Sequence, residues 1–199
     1  MAMETKLQPI NVEAIERHFY EIIKLIGEDP EREGLLETPK RIAKMYKEIF
    51  SGIYENPEEI LQKTFAAEGT KDIVIVQDIP FYSVCEHHFV PFFGKVHIGY
   101  IPNDRIVGLS KFARLVDVFA RRPQVQERIT NEIVNVIQKV VNPRGVICVV
   151  EAEHMCMTMR GIKKPGSLTR TIARTGVFDT GEFPNYYEER FFKMLNKEL

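Results

Sequence analysis

Apolar positions in the first third of the chain recur at helical spacing. From Asn11 onward Ile15, Phe19, Ile22, Ile23 and Ile26 fall on one stripe, with Asn11 placed to cap the helix and Gly27 to stop it. A polar connection over 28–37 leads to Thr38-Pro39, which reads as the cap and first residue of a second helix. That helix turns Ile42, Met45, Tyr46 and Ile49 inward and ends at Gly52, and Asn56-Pro57 opens a short third helix that fades near Lys63. Residues 1–10 show no period and read as a flexible lead; the first helix follows almost at once, leaving little room for a regulatory extension.

After Gly69 the period changes. Residues 73–76 are β-rich, and 95–101 predict a second strand closed by the turn signal Pro102-Asn103-Asp104. Ser110 is placed to cap a helix carrying Phe112, Leu115, Val116 and Phe119, broken at Arg121-Arg122-Pro123. A longer helix aligns Val125, Ile129, Ile133, Val136, Ile137 and Val140 and closes at Asn142-Pro143. Residues 146–159 predict one long strand, 169–178 another, and 184–199 a final helix with Tyr187, Phe191, Met194 and Leu195. Strands, then two helices, then strands predict an α+β fold with a largely antiparallel sheet. A helical region over 1–70 precedes a domain over 71–199, the two forming one structural unit.

Composition narrows the function classes. The chain has 199 residues, enough for a sizeable core, and its 44% apolar and 28% charged content is that of a soluble globular protein. A net charge of −1 argues against nucleic acid or an anionic membrane as partner, so an anionic ligand must meet a local basic cluster. No run is long enough to span a membrane and no signal peptide is evident; three cysteines are too few and odd in number for a disulfide scaffold. The chain reads as cytoplasmic.

The chemistry concentrates at Cys85-Glu86-His87-His88. Cys-x-x-His lets a tight turn offer two zinc ligands from one place. On an extended strand Cys85 and His87 would share a face; a turn would instead aim Cys85 and His88 at one ion, with His87 beside it as acid or base. For a third ligand, a long strand over 146–159 would put Cys148, His154, Cys156 and Arg160 on one face, Arg160 roughly 13 Å beyond Cys156. Cys85, His88 and Cys156 would leave a fourth zinc position open to water, the mark of a catalytic site, with Cys148 left to the core. On spacing alone, Cys85 and Cys156 read equally well as small buried hydrophobes.

Ser110 at a helix start, with Lys111 and Arg114 one turn on, is a candidate phosphate cradle. Arg41 and Lys44 share a face of the second helix, and Arg160 completes a set of five cations; taken singly, each reads as an ordinary solvated charge. Glu127, opposite its helix's apolar stripe, has the chemistry to pair with a guanine N–H and NH2 edge, or to face solvent. His18 and His97 find no partner in the sequence.

Together these stretches resemble the GTP cyclohydrolase I family. The resemblance is carried by Cys85-Glu86-His87-His88-Phe89, Gly94-Lys95-Val96-His97-Ile98-Gly99-Tyr100-Ile101-Pro102, Gly108-Leu109-Ser110-Lys111, Arg122-Pro123-Gln124-Val125-Gln126-Glu127-Arg128 and His154-Met155-Cys156 with Arg160. The segment from Thr38 to Tyr46 also looks like its counterpart, and the blocks run in the family's order. The resemblance implies the tunnelling fold, Zn2+ on Cys85, His88 and Cys156, and an acid/base pair of His87 and His154 with Ser110 as a further proton handler. It implies guanine held by Glu127 with Gln126 beside it, and the triphosphate and ribose met by Arg41, Lys44, Ser110, Lys111, Arg114 and Arg160. The implied reaction opens the imidazole ring of GTP at C8, releases formate, and closes to 7,8-dihydroneopterin triphosphate. The implied assembly is a homodecamer of two stacked pentamers with pockets at subunit interfaces, so Arg41 and Lys44 would serve a neighbour. Two rivals are weaker. A nitrile reductase of deazaguanine metabolism needs a nucleophilic cysteine and no zinc; a binding module with structural zinc needs a fourth ligand that only the misplaced Cys148 could supply.

Overall fold

A computed structural model of the chain describes residues 8–179 and 185–196. The chain opens with α1 (Val12–Leu25), α2 (Thr38–Ile49), a single 3-10 turn at Ser51–Tyr54 and α3 (Pro57–Leu61). Then come β1 (Thr64–Ala66), β2 (Val74–Cys85), β3 (Pro91–Ile101), β4 (Arg105–Val107) and α4 (Ser110–Ala120). The chain continues through β5 (Pro123–Gln124), α5 (Gln126–Val141), β6 (Gly145–His154), α6 (Met155–Thr158), β7 (Leu168–Gly176) and α7 (Tyr186–Leu195).

The expected α+β architecture is present. β2, β3, β6 and β7 form antiparallel neighbours in the order β5-β2-β3-β6-β7, with only the two-residue β5 running parallel to β2. α4 and α5 cover one face: Phe112, Leu115, Ile129, Ile133 and Ile137 bury against Val96, Ile98, Cys148 and Val150 of the sheet. On the other face Phe191 of α7 joins Ile101, Ile147 and Phe178 in a smaller apolar layer. Gly99 makes that docking possible, because a Cβ there would come within 2.7 Å of the Phe191 ring. β1 pairs with β4 and so ties the end of the first 70 residues to the rest of the chain.

Caps behave as polar groups at helix ends should. Asn11 accepts from the Ala14 N–H, Asn56 from Glu58, and Asn142 adopts the left-handed conformation that stops α5 before Pro143. Thr38 and Ser110, expected as caps, are instead the first helical residues, after Glu37 and Leu109. The final helix begins at Tyr186, while residue 184 and residues 197–199 of the expected span lie outside the described residues.

Three expectations need correction. The stripes of α1 and α2 are only partly buried: Ile22 and Ile26 are 44% and 72% exposed and Met45 45%, while Ile23, Pro39 and Ala43 carry the contact. The strand expected at 73–76 runs on to Cys85, because a bulge at Asp78 absorbs the polar Gln77-Asp78 and resets the register from Val76 to Ile79. The strand expected to reach residue 159 ends at His154, whose partner is Phe92; Pro91 begins β3, so no ladder remains to pair with and the chain closes into one helical turn.

Candidate metal centre and active site

The end of β2 is held where three elements meet. The Ser83 hydroxyl donates to the Ala120 carbonyl at 2.7 Å, and Val84 and Cys85 pair with Pro123 and Gln124. Residues 86–88 then form a tight turn in which the Phe89 N–H returns to the Cys85 carbonyl at 2.9 Å. Phe89 has φ 54°, the left-handed conformation that lets the chain double back into β3. The turn is the geometry Cys-x-x-His requires. A fork fixes it from outside: Arg128 of α5 donates to both carboxylate oxygens of Glu86, at 2.6 and 3.2 Å, and this holds the Glu86 carboxyl below its usual range.

Cys156 reaches the turn from α6. The donor atoms of Cys85, His88 and Cys156 all lie within 4.8 Å of one another. Cys85 Sγ is 3.9 Å from His88 Nδ1 and equally far from His87 Nδ1, so the thiol alone does not choose between the imidazoles; Cys156 does, by completing the group with His88. Burial pushes the Cys156 thiol up, the neighbouring Cys85 adds to this, and Arg160 opposes it. Two cysteine sulfurs and an imidazole nitrogen within reach of one point are a donor set that suits a divalent cation, which binds cysteines as thiolates. Tetrahedral zinc, with bonds of about 2.0–2.3 Å, needs donors roughly 3.5 Å apart, close to the observed sulfur–nitrogen separation.

Arg160 therefore meets this site differently from the expectation. It follows the α6 turn, exposed, close enough for its charge to act on Cys156, and does not stand far along a strand. Cys148 is fully buried in the sheet core, and burial pushes its thiol far above the ordinary range.

His154 sits at the end of β6 with its ring stacked on Phe92, centroids 4.6 Å apart and planes within 3°. Burial lowers its pKa, with Glu127 pulling the other way. Its Nε2 lies 2.8 Å from Gln126 Oε1. Gln126, 1% exposed, donates through Nε2 to the Val150 carbonyl at 2.9 Å, the Thr169 carbonyl at 3.0 Å and Thr171 Oγ1 at 3.2 Å. The Thr130 hydroxyl, 2.6 Å from Thr171 Oγ1, donates to the Gln126 carbonyl at 2.8 Å. Glu127, next on α5, is exposed. Sequence reasoning missed Phe92, Thr130, Thr171 and the Glu86–Arg128 fork; period two does put Thr171 on the α5 side of β7, but nothing in the sequence pairs it with Gln126.

One chain gathers the metal donors, His87, His154, Gln126 and Glu127. It does not bring the proposed cradle to them. The C-terminal end of α4 abuts β2 beside Cys85, so Ser110, at the other end of eleven helical residues, is displaced along the helix by roughly 16 Å. Lys111 and Arg114 instead line a separate cavity of about 410 Å³ with Tyr54, Glu55, Asn56 and Glu59. Arg41 and Lys44 are exposed on α2. The end of α2 reaches the metal turn through Phe50, which meets Phe89 edge-on at 5.9 Å, but Arg41 lies roughly 13 Å back along the helix and on its opposite side.

Comparison with known proteins places the chain in a family. The family profile described as GTP cyclohydrolase I matches residues 15–194. A GTP cyclohydrolase 1 of Clostridioides difficile (strain 630) is 56% identical over 174 residues, covering 87% of this chain and 92% of that protein. One of Bacillus mycoides (strain KBAB4) is 57% identical over 171 residues, covering 85% and 90%. Among solved structures, archaeosine synthase QueF-Like in the apo form aligns with 53% of this chain and 94% of that one, at 20% identity and a TM-score of 0.45. The profile match and the two bacterial relatives, each spanning most of the chain, show that the chain belongs to the GTP cyclohydrolase I family.

Proposed function

We propose that the protein hydrolytically opens the imidazole ring of GTP, releases C8 as formate and forms 7,8-dihydroneopterin triphosphate, with zinc as its metal. The observation that carries this reading is the convergence of Cys85, His88 and Cys156, flanked by His87 and His154, in a chain of this family. Cys85, His88 and Cys156 would hold the zinc, which would supply a water activated as a nucleophile at neutral pH.

The chain's own groups divide the remaining work. The Glu127 carboxylate accepts from the N–H and NH2 edge of guanine and so orients C8 toward the metal turn. His87, on the same turn but outside the donor group, gives a proton to N7 as the ring opens. His154, kept neutral by its surroundings, handles protons as the ribose opens and rearranges, with Ser110 as second proton handler. Arg160 acts from the metal side, and Lys111, Arg114, Arg41 and Lys44 bind the triphosphate, which the reaction leaves intact.

Since Ser110, Lys111 and Arg114 stand a helix length from Cys85 in one chain, each pocket joins groups from different subunits. Two open sheet edges support such an assembly. Among the described residues, β7 pairs on one side only, and the outer side of β2 is covered at Val84 and Cys85 alone. Adding strands edge to edge would close several copies into a ring, as the tunnelling-fold homodecamer requires.

The test is formate release from GTP by the purified protein before chelation, after metal removal and after zinc is restored. Formate that disappears and returns with zinc fixes reaction, substrate and metal together. GTP binding and tight zinc without formate would make this a binding module instead.

A further inference from the structure

Gln126 was expected beside the guanine, yet its side chain is spent elsewhere. An amide offers two protons, and Gln126 Nε2 has three acceptors around it: the Val150 and Thr169 carbonyls and Thr171 Oγ1. Two of these are backbone oxygens that can only accept, so the reversed amide would press Oε1 against both of them. The threonines reinforce the orientation. Thr130 gives its proton to the Gln126 carbonyl, Thr171 must then donate to Thr130, and Thr171 Oγ1 is left to accept from Gln126. The ring of donors closes in one direction only.

Oε1 therefore faces His154, 2.8 Å from Nε2, and an oxygen that only accepts demands a hydrogen there. We infer that Gln126 is a positioning residue, which holds His154 in the Nε2–H tautomer and leaves Nδ1 as the nitrogen available to a bound ligand. The ring plane is fixed independently by Phe92, stacked at 4.6 Å, so tautomer and orientation are both set before substrate arrives. The amide connects this to the fold: its acceptors come from β6 and β7, and α5 carries it, so three elements share in aiming one imidazole. With its protons spent, the amide has none to give a purine.

Two measurements test this, and only the second rests on the reaction proposed above. Neutron diffraction from deuterium-exchanged crystals of the zinc-loaded protein, at mildly alkaline pH, locates the hydrogen on His154 directly. Deuterium on Nε2 is expected; deuterium on Nδ1 alone overturns the assignment. Gln126→Met keeps the length of the side chain but removes both donor and acceptor. It should lower kcat for formate release from GTP roughly 10- to 100-fold, the usual cost of removing a group that orients an imidazole. KM should move by less than about threefold, since substrate binding does not use the amide. A raised KM with kcat preserved would make Gln126 a substrate-holding residue and sink the inference. If the wild-type protein releases no formate, the reaction is wrong, but the neutron result still decides the tautomer.

Discussion

His87 and His88 are adjacent and equally distant from Cys85 Sγ, yet their chemistry should separate cleanly. His88→Ala and Cys156→Ala each remove a donor of the metal group, so zinc and ring opening should disappear together. His87→Ala removes no donor. It should retain zinc by elemental analysis while formate release falls roughly 10²- to 10⁴-fold, the range of a lost general acid or base. A metal-free His87→Ala protein would put His87 in the donor group and undo the division of labour. Residue identities at this scale were legible because Cys-x-x-His carries its own geometry and the chain has only two other cysteines to choose between. The path from Cys85 to Cys156 was not: period two put Cys156 on a strand, whereas a helical turn after His154 delivers it. Where a ladder ends depends on the neighbouring strand, which a single segment does not reveal.

At the scale of elements, the least legible stretch was the second half of β2. The β-rich run at 73–76 is followed by Gln77, Asp78 and Pro80, and the partner strand shows why they are tolerated within β2. His97 of β3 accepts the Asp78 N–H through Nδ1 at 3.1 Å, and Lys95 binds the Asp78 carboxylate at 2.8 Å, so the bulge is pinned at both ends. His97 is 8% exposed and must stay neutral at Nδ1 to accept that bond. Burial lowers its pKa; Asp78 and Glu151 oppose this, and Lys95 adds to it. Among the described residues, Arg170, ion-paired to Glu151, is the remaining charge in the cluster. A histidine with a depressed folded pKa binds fewer protons folded than unfolded, so stability rises with pH across the gap. The contribution is complete above the unfolded value of about 6.5 and drains away as pH falls toward the folded value. His97→Gln keeps an acceptor that does not titrate. Its melting temperature, followed from neutral to mildly acidic pH, should fall less steeply than that of the wild type; identical slopes would show that the bulge does not depend on the state of His97.

The whole molecule explains what the other scales leave over. The stripe that predicts α1 is real, but one chain does not bury it: Ile22 is 44% exposed and Ile26 72%. Sequence periodicity reports that a face is apolar and is silent about whether its cover lies in the same chain, and the cations of the cradle pose the same problem in polar form. If the metal group of one subunit meets the cradle of another, two crippled proteins should repair each other. Cys156→Ala lacks the metal but keeps Lys111 and Arg114; the double variant Lys111→Ala/Arg114→Ala keeps the metal and lacks the cradle. Each alone should be almost inactive. Unfolded separately, mixed in equal amounts and refolded with zinc, they should assemble at random, and about a quarter of the pockets would then draw an intact metal group from one subunit and an intact cradle from another. Formate release should return to about that fraction of the wild-type rate, and not before subunits exchange. Mixed oligomers, verified by mass, that stay as inactive as their parents would mean that metal and cradle belong to one chain, and that α4 must move by most of its own length to bring them together.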